Sequence, residues 1–185
     1  MRRFAVLALF VILPVAAHAT VVLPIEFREL VNIAPVIVHG RVVDIHAEYV
    51  DGRRAIETVV TLEAADYLKG NLGDRVTFKV PGGELGSYRT TFIGAPEFRE
   101  GDELVLFLKN NEGSTPSIIG LSQGAFRVVA DARSGRRMVT TPILMGRSNG
   151  SAVPVVRGDV TRKPLPFESF RSAVLQVMAS PQGGR

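Results

Sequence analysis

Between Val36 and Tyr49 the alternation of apolar and polar residues changes phase, and a chain carrying that change cannot lay the stretch down as one flat strand. Val36, Val38 and Val42 are apolar at even positions, whereas Val43, Ile45, Ala47 and Tyr49 are apolar at odd ones. Side chains of a strand alternate with a period of two, so a change of phase needs one extra residue or a sharp bend. Gly40 lies beside the change, where no side chain obstructs a bulge or a bend. The reading is one long strand that bends and serves two halves of a curved sheet.

The pieces that follow are short strands and turns. Asp51-Gly52 makes a hairpin turn, since that dipeptide tolerates positive φ. A return strand runs from about Arg54 to Leu68, with Ile56, Val60, Leu62, Ala64 and Leu68 on one face and Glu57, Thr61, Glu63 and Tyr67 on the other. Val76, Phe78 and Val80 alternate with Thr77 and Lys79 until Pro81-Gly82-Gly83 stops the strand. Tyr88 to Ile93 reads as a short strand and Gly94 to Gly101 as a loop. Leu104 to Leu108 is apolar without alternation, which suits a strand covered on both faces. Ile118 to Leu121 and Ala125 to Ala130 follow, and Ser134-Gly135 turns back into Met138 to Thr141.

A helix is expected at each end. Ile25, Phe27, Leu30 and Ile33 mark one over Glu26 to Ala34, stopped by Pro35. Phe167, Phe170, Val174 and Met178, with Leu175, mark the other at spacings of three and four. Between Pro142 and Pro166 the pattern dissolves into a loop or extended arm rich in Gly, Ser, Asn and Pro. About seven short strands with a helix at either end predict an all-β domain, a small closed barrel or a sandwich.

The N-terminus predicts export. Arg2-Arg3 is a short positive region, Phe4 to Ala16 is apolar apart from Pro14, and Ala17-His18-Ala19 has the small-x-small pattern of a cleavage site. The apolar run is shorter than the ~20 residues a spanning helix needs, which favours a cleaved signal peptide over a retained membrane anchor. Phe4 follows the arginine pair at once, a poor match to twin-arginine spacing, so the general secretory route is expected. The chain has no Cys, so no lipid anchor forms at the cleavage point. The segments are then a signal peptide over 1–19, one domain over 20–179 and a tail over 180–185, with a mature protein of 166 of the 185 residues beginning at Thr20.

A domain of that size buries roughly 70% of its unfolded surface and needs no staple, which matters because neither disulfides nor a Cys-ligated zinc is available. Cleavage also removes two arginines, leaving 20 basic against 18 acidic residues, or +2. With so small a balance and its basic residues scattered, the chain has no electrostatic footprint for nucleic acid. Arg53-Arg54, Arg133 and Arg136-Arg137 read as solvated charge in turns.

Candidate chemistry is sparse. Gly120-Leu121-Ser122-Gln123-Gly124 fits G-x-S-x-G, a pattern that in a nucleophile elbow puts serine on a strand-to-helix turn with acid and histidine later in the chain. Here a strand follows, and no histidine stands after His46. His39 beside Gly40 and Arg41 reads as a half-exposed strand residue. Asp44, His46 and Glu48 share a face at alternate positions, so they could present three ligands to a metal, or form the wet face of a half-buried sheet. Glu57 and Glu63 stand too far apart on one strand for a paired acid and base. Pro81-Gly82-Gly83-Glu84 lacks the Lys-Ser/Thr and helix of a phosphate loop. Asn149-Gly150-Ser151 is a sequon, meaningful in a source that glycosylates exported proteins. No catalytic, cofactor or metal residue is assigned, and the chain is expected not to be an enzyme.

The order of pieces resembles a family. A helix leads into Ala34-Pro35-Val36-Ile37-Val38-His39-Gly40-Arg41-Val42, and a second long strand ends in Tyr67-Leu68-Lys69-Gly70. Val76-Thr77-Phe78, a Gly-rich loop, Gly101-Asp102-Glu103-Leu104-Val105-Leu106-Phe107-Leu108 and a closing helix follow. This is similar to the netrin-like module and the N-terminal domain of tissue inhibitors of metalloproteinases, and to exported bacterial proteins of the same layout, over roughly Ile25 to Val129. The resemblance implies an OB-like closed barrel. The inhibitors act through an N-terminal cysteine braced by disulfides, which this chain lacks, so zinc-directed inhibition does not carry over. The function expected is an exported, non-enzymatic binding module with a protein partner, such as a secreted hydrolase. The alternatives are a metal-dependent enzyme using Asp44, His46 and Glu48, and a structural envelope component.

Overall fold

In the computed structural model, which describes residues 25–50, 52, 55–110, 115–140 and 164–180, the first two strands form a long hairpin. Each has fifteen residues, β1 over Val36–Val50 and β2 over Ala55–Lys69. The signal peptide and its cleavage point, most of the arm read over 142–166, the Asn149 sequon and the tail beyond Ser180 lie outside the described residues. After the hairpin come β3 (Arg75–Pro81), β4 (Gly83–Leu85), β5 (Tyr88–Thr90), β6 (Glu103–Lys109), β7 (Ser117–Ile118), β8 (Ala125–Ala130), β9 (Arg137–Thr140) and β10 (Leu165–Pro166). Helix α1 (Phe27–Ile33) precedes them and α2 (Phe167–Ala179) closes the described chain. The protein is mostly β with a helix at each end. Among the described residues no helix is long and apolar enough to cross a membrane.

The main sheet runs β1-β2-β3-β7-β6-β8-β9-β10, and β6 pairs with β1 as well, so the first five members of that order lead back to where they began. The sheet is thus partly closed in a ring. Its narrowest seam is β3–β7, a parallel contact at the single pair Lys79↔Ser117. The free edge of β6 is divided: residues 108–109 pair with β7, and residues 103–106 pair with β8, which leads out to β9 and β10.

That division explains the unbroken apolar run of β6. Leu104, Leu106 and Leu108 point into the ring beside Val38, Leu62 and Phe78, while Val105 and Phe107 point out beneath the helices. The first half of β1 is sandwiched the same way, with Val36, Val38 and Val42 inside and Ile37 outside. On α2, Phe167, Phe170 and Val174 are buried, at spacings of three and four, and Leu175 faces solvent. Helix α1 is short because Pro35 lies just past its C-cap, Ala34, whose N–H still reaches Leu30 O.

The change of phase is real, and the structure moves it. Val42 pairs with Leu62 and Asp44 with Thr61, so Val43 is the inserted residue, and beyond it Ile45 takes over the inward positions. The irregularity at His39/Gly40 is separate: His39 pairs with Asp66 and Gly40 with Ala64, leaving Ala65 of β2 extra. That insertion reverses the faces expected for the end of β2. Tyr67 packs with the inner cluster and Leu68 with the outer one.

The β8–β9 turn is held by one carboxylate. Asp131 Oδ1 accepts hydrogen bonds from the Ser134 hydroxyl at 2.7 Å, the Ser134 amide at 2.8 Å and the Arg133 amide at 3.2 Å. These bonds, the Ser134 hydroxyl first, hold the Asp131 carboxyl below the usual carboxylate range. A group with a lowered folded pKa adds stability above its unfolded pKa and loses it as pH falls through the folded value. The stability gap between the protein and Asp131→Ala, followed by urea unfolding from pH 7 to pH 2.5, is expected to narrow below about pH 4. A gap independent of pH would remove the carboxylate from the turn's account.

Candidate functional site

Past Val42 the hairpin projects beyond β6, and the β4–β5 ribbon folds over one of its faces. The close approach requires glycine: a Cβ on Gly83 would lie 2.6 Å from Thr58 Oγ1 and 3.2 Å from Ile56 Cγ2. The Thr58 hydroxyl donates to Gly82 O at 2.7 Å, and Gly82 N–H donates to Ile56 O at 3.0 Å. The Pro81-Gly82-Gly83 run is therefore a packed crossover.

From β5 the chain continues through 91–98 and encloses a cleft of about 460 Å³. Ile45, His46 and Ala47 of β1, Thr58 of β2, Val80 to Gly83 and Ala95 to Phe98 are among the residues that line it. Phe92, 48% exposed, lines the cleft, and two more large apolar side chains of the same segment are in solvent, Tyr88 at 67% and Ile93 at 83%. The Tyr88 ring meets the Tyr49 ring edge-on at 6.5 Å, and Phe98 meets Phe78 at 5.6 Å, which fixes the loop to the inner core.

The loop is tied down at several points. Arg127 donates to Glu97 O and pairs with Asp102 at 2.6 Å, while Asp102 Oδ2 accepts from the Arg99 amide at 2.8 Å. The Ser122 amide donates to Gly94 O at 3.1 Å. That bond gives the G-x-S-x-G segment its observed part. Gly120 is left-handed (φ 64°), a 3-10 turn spans Leu121–Gly124, and strand β8 follows directly. Gln123 is buried there, its Oε1 accepting from Ile25 N–H at 2.6 Å. Neither described histidine bonds Ser122: His39 is held by Glu103 and His46 by Asp44.

Asp44, His46 and Glu48 do share a face, and the structure divides them. His46 Nδ1 lies 2.9 Å from Asp44 Oδ2, while Glu48 is hydrogen-bonded to Lys79, which also faces Glu57 at 3.7 Å. The Lys79 hydrogen bond holds the Glu48 carboxyl below its ordinary range, and Glu48 in turn raises the Lys79 ammonium. Among the described residues no group of three His, Asp or Glu side chains is placed to hold a metal ion.

His39 is not half-exposed, as its sequence neighbours suggest, but buried. Its Nε2 lies 2.8 Å from Glu103 Oε1 and its ring 4.5 Å from that of Phe167. Glu103 also faces Arg137 at 3.4 Å and Arg41 at 3.6 Å, and the Arg137 guanidinium sits 4.4 Å over Phe167. These groups join α2 to β1, β6 and β9; a buried polar side chain is satisfied this way.

No family model matches the chain, and no curated protein or solved structure matches it.

Proposed function

We propose that this protein is an exported binding module that docks a protein partner, such as a secreted hydrolase, at the cleft between β1 and the 91–98 loop. The observation that carries the reading is Phe92, half exposed in the lining of a formed cleft, with Tyr88 and Ile93 exposed on the same β5–loop segment. Large apolar side chains grouped in solvent mark interaction surfaces, and aromatic anchors beside a pocket supply most of the energy of such contacts. The ties from Arg127, Ser122 and Phe98 hold the loop in place, which lowers the entropy lost on binding.

The platform is an OB-like barrel similar to the netrin-like module. The ring order β1-β2-β3-β7-β6, with β3 and β7 parallel, supports this reading, because a five-stranded Greek-key barrel closes on few hydrogen bonds at one seam. Export rests on Arg2-Arg3, the apolar run to Ala16 and Ala17-His18-Ala19.

The test is capture from the exported fraction of the source cells on immobilised protein, compared with the double variant Tyr88→Asp, Ile93→Asp. Both side chains are in solvent, so the variant is expected to unfold at the urea concentration of the parent. Truncating interface anchors costs about 2 kcal/mol or more, so the bound partner should fall about thirtyfold. An identical captured set on both columns sinks the reading.

A further inference from the structure

Pairing along β1 becomes one-sided where the cleft begins. From Ile37 to Arg41 the strand lies between β2 and β6. Val42 is still held on the β6 side, its N–H donating to Asp102 O at 2.9 Å and its carbonyl accepting from Gly101 N–H at 2.8 Å. From Asp44 to Glu48 the only ladder partner among the described residues is β2, at Thr61 to Glu57. Ile45, His46 and Ala47 of this stretch also line the cleft, together with residues of the 91–98 loop. A strand edge whose backbone donors and acceptors lack a ladder partner is a template for one more strand.

We propose that an extended segment of the partner protein adds to β1 along Asp44–Glu48, prolonging the line of β6. This rests on the binding-module reading above and states how the partner is held. Residues of the added strand level with Ile45 and Ala47 face the side of the sheet where Val80, Phe92 and Phe98 line the cleft, which selects apolar side chains. Residues level with Asp44 and Glu48 stand beside carboxylates on the solvent face. That face carries Asp44, Glu48 and Glu57 around the one ammonium group of Lys79, so carboxylates are in excess there. Charge complementarity therefore selects a segment in which basic residues alternate with apolar ones.

The probe is the peptide acetyl-Lys-Val-Thr-Val-Lys-amide, added to the protein while backbone amide exchange is followed. The expected result is slowed exchange at amides within Asp44–Glu48. Two N-methylated peptides give the signature of a strand, one blocked at both valines and the other at Lys, Thr and Lys. Only the set whose N–H groups point at β1 matters, so one analogue loses binding and the other keeps it. Replacing both lysines with glutamate should weaken binding about tenfold, as two exposed charge pairs turn repulsive.

Strand addition is overturned if the peptide does not bind at millimolar concentration, if both N-methylated analogues bind like the parent, or if protection falls elsewhere. It is also overturned if Asp44–Glu48 become protected without peptide as protein concentration rises, which would assign the edge to a second copy. Each of these leaves the binding-module reading standing or falling on the Tyr88, Ile93 capture result alone.

Discussion

Gly40→Ala is expected to cost about 2 kcal/mol, and Gly40→Val about 3 kcal/mol or more, out of a margin of roughly 5–15. A Cβ at this position would lie 2.3 Å from the Glu63 carbonyl oxygen and 3.0 Å from two carbons of Leu62. The first neighbour is backbone in the middle of a ladder, and it cannot swing aside as the end of a side chain can. On its other edge Gly40 pairs with Leu104, so β1 has nowhere to retreat. Crowding alone sets the cost, because Gly40 is not among the glycines with positive φ. Valine adds two methyls to the same collision. Urea midpoints at constant slope measure both variants, with Glu100→Ala, an exposed change, as a comparator expected within about 0.5 kcal/mol. If Gly40→Ala unfolds with its parent, β1 and β2 do not approach at Gly40 as described.

The extra residue in β1 was legible because an insertion leaves a trace in the alternation on either side of it. Its position was not. The pattern records only net phase, and Gly40 drew attention to a site where the extra residue belongs to the opposite strand. The two-sided burial of β6 was legible from Leu104 to Leu108, since no face of that run is polar. By contrast β7 has only two residues, too few for any alternation, and the pairing Lys79↔Ser117 that leads the sheet round leaves no signal. His39 misled for another reason. What buries it are Glu103 and Phe167, far along the chain, and neighbours in sequence say nothing of them. The cleft was the least visible feature. Phe92 and Phe98 were the available signal, two aromatic residues in a stretch otherwise read partly as strand and partly as loop. The open edge at Asp44–Glu48 requires knowing where β6 ends against β1, which no local pattern contains.

Phe107→Ala is expected to cost about 4 kcal/mol, within the range for a fully buried phenylalanine. Phe107 stands on β6 in a four-ring cluster with Phe126 at 5.3 Å, Phe27 at 6.4 Å and Phe170 at 6.5 Å. Phe27 and Phe170 come from α1 and α2, 5.5 Å apart, so the cluster attaches both helices to the sheet. The cavity left by Phe107 would collapse poorly. Its floor is β6, paired to β1 along one edge and to β7 and β8 along the other, and a strand held on both edges does not sink toward a void. Phe170→Ala removes a ring from α2 instead, and a helix can shift to close part of the gap, so about 3 kcal/mol is expected there. The rings also favour one another beyond the area they bury, by roughly 0.5–1.5 kcal/mol a pair. A double-mutant cycle of Phe107→Leu and Phe170→Leu, read by urea unfolding, should therefore show coupling of about 1 kcal/mol. This cluster lies on the outer side of β6, and the inner cluster carries Phe78 and Phe98 toward the cleft. Phe107→Leu should accordingly lower stability while leaving partner capture unchanged. Effects that add within about 0.3 kcal/mol would show that each helix docks on its own, not through a shared ring cluster.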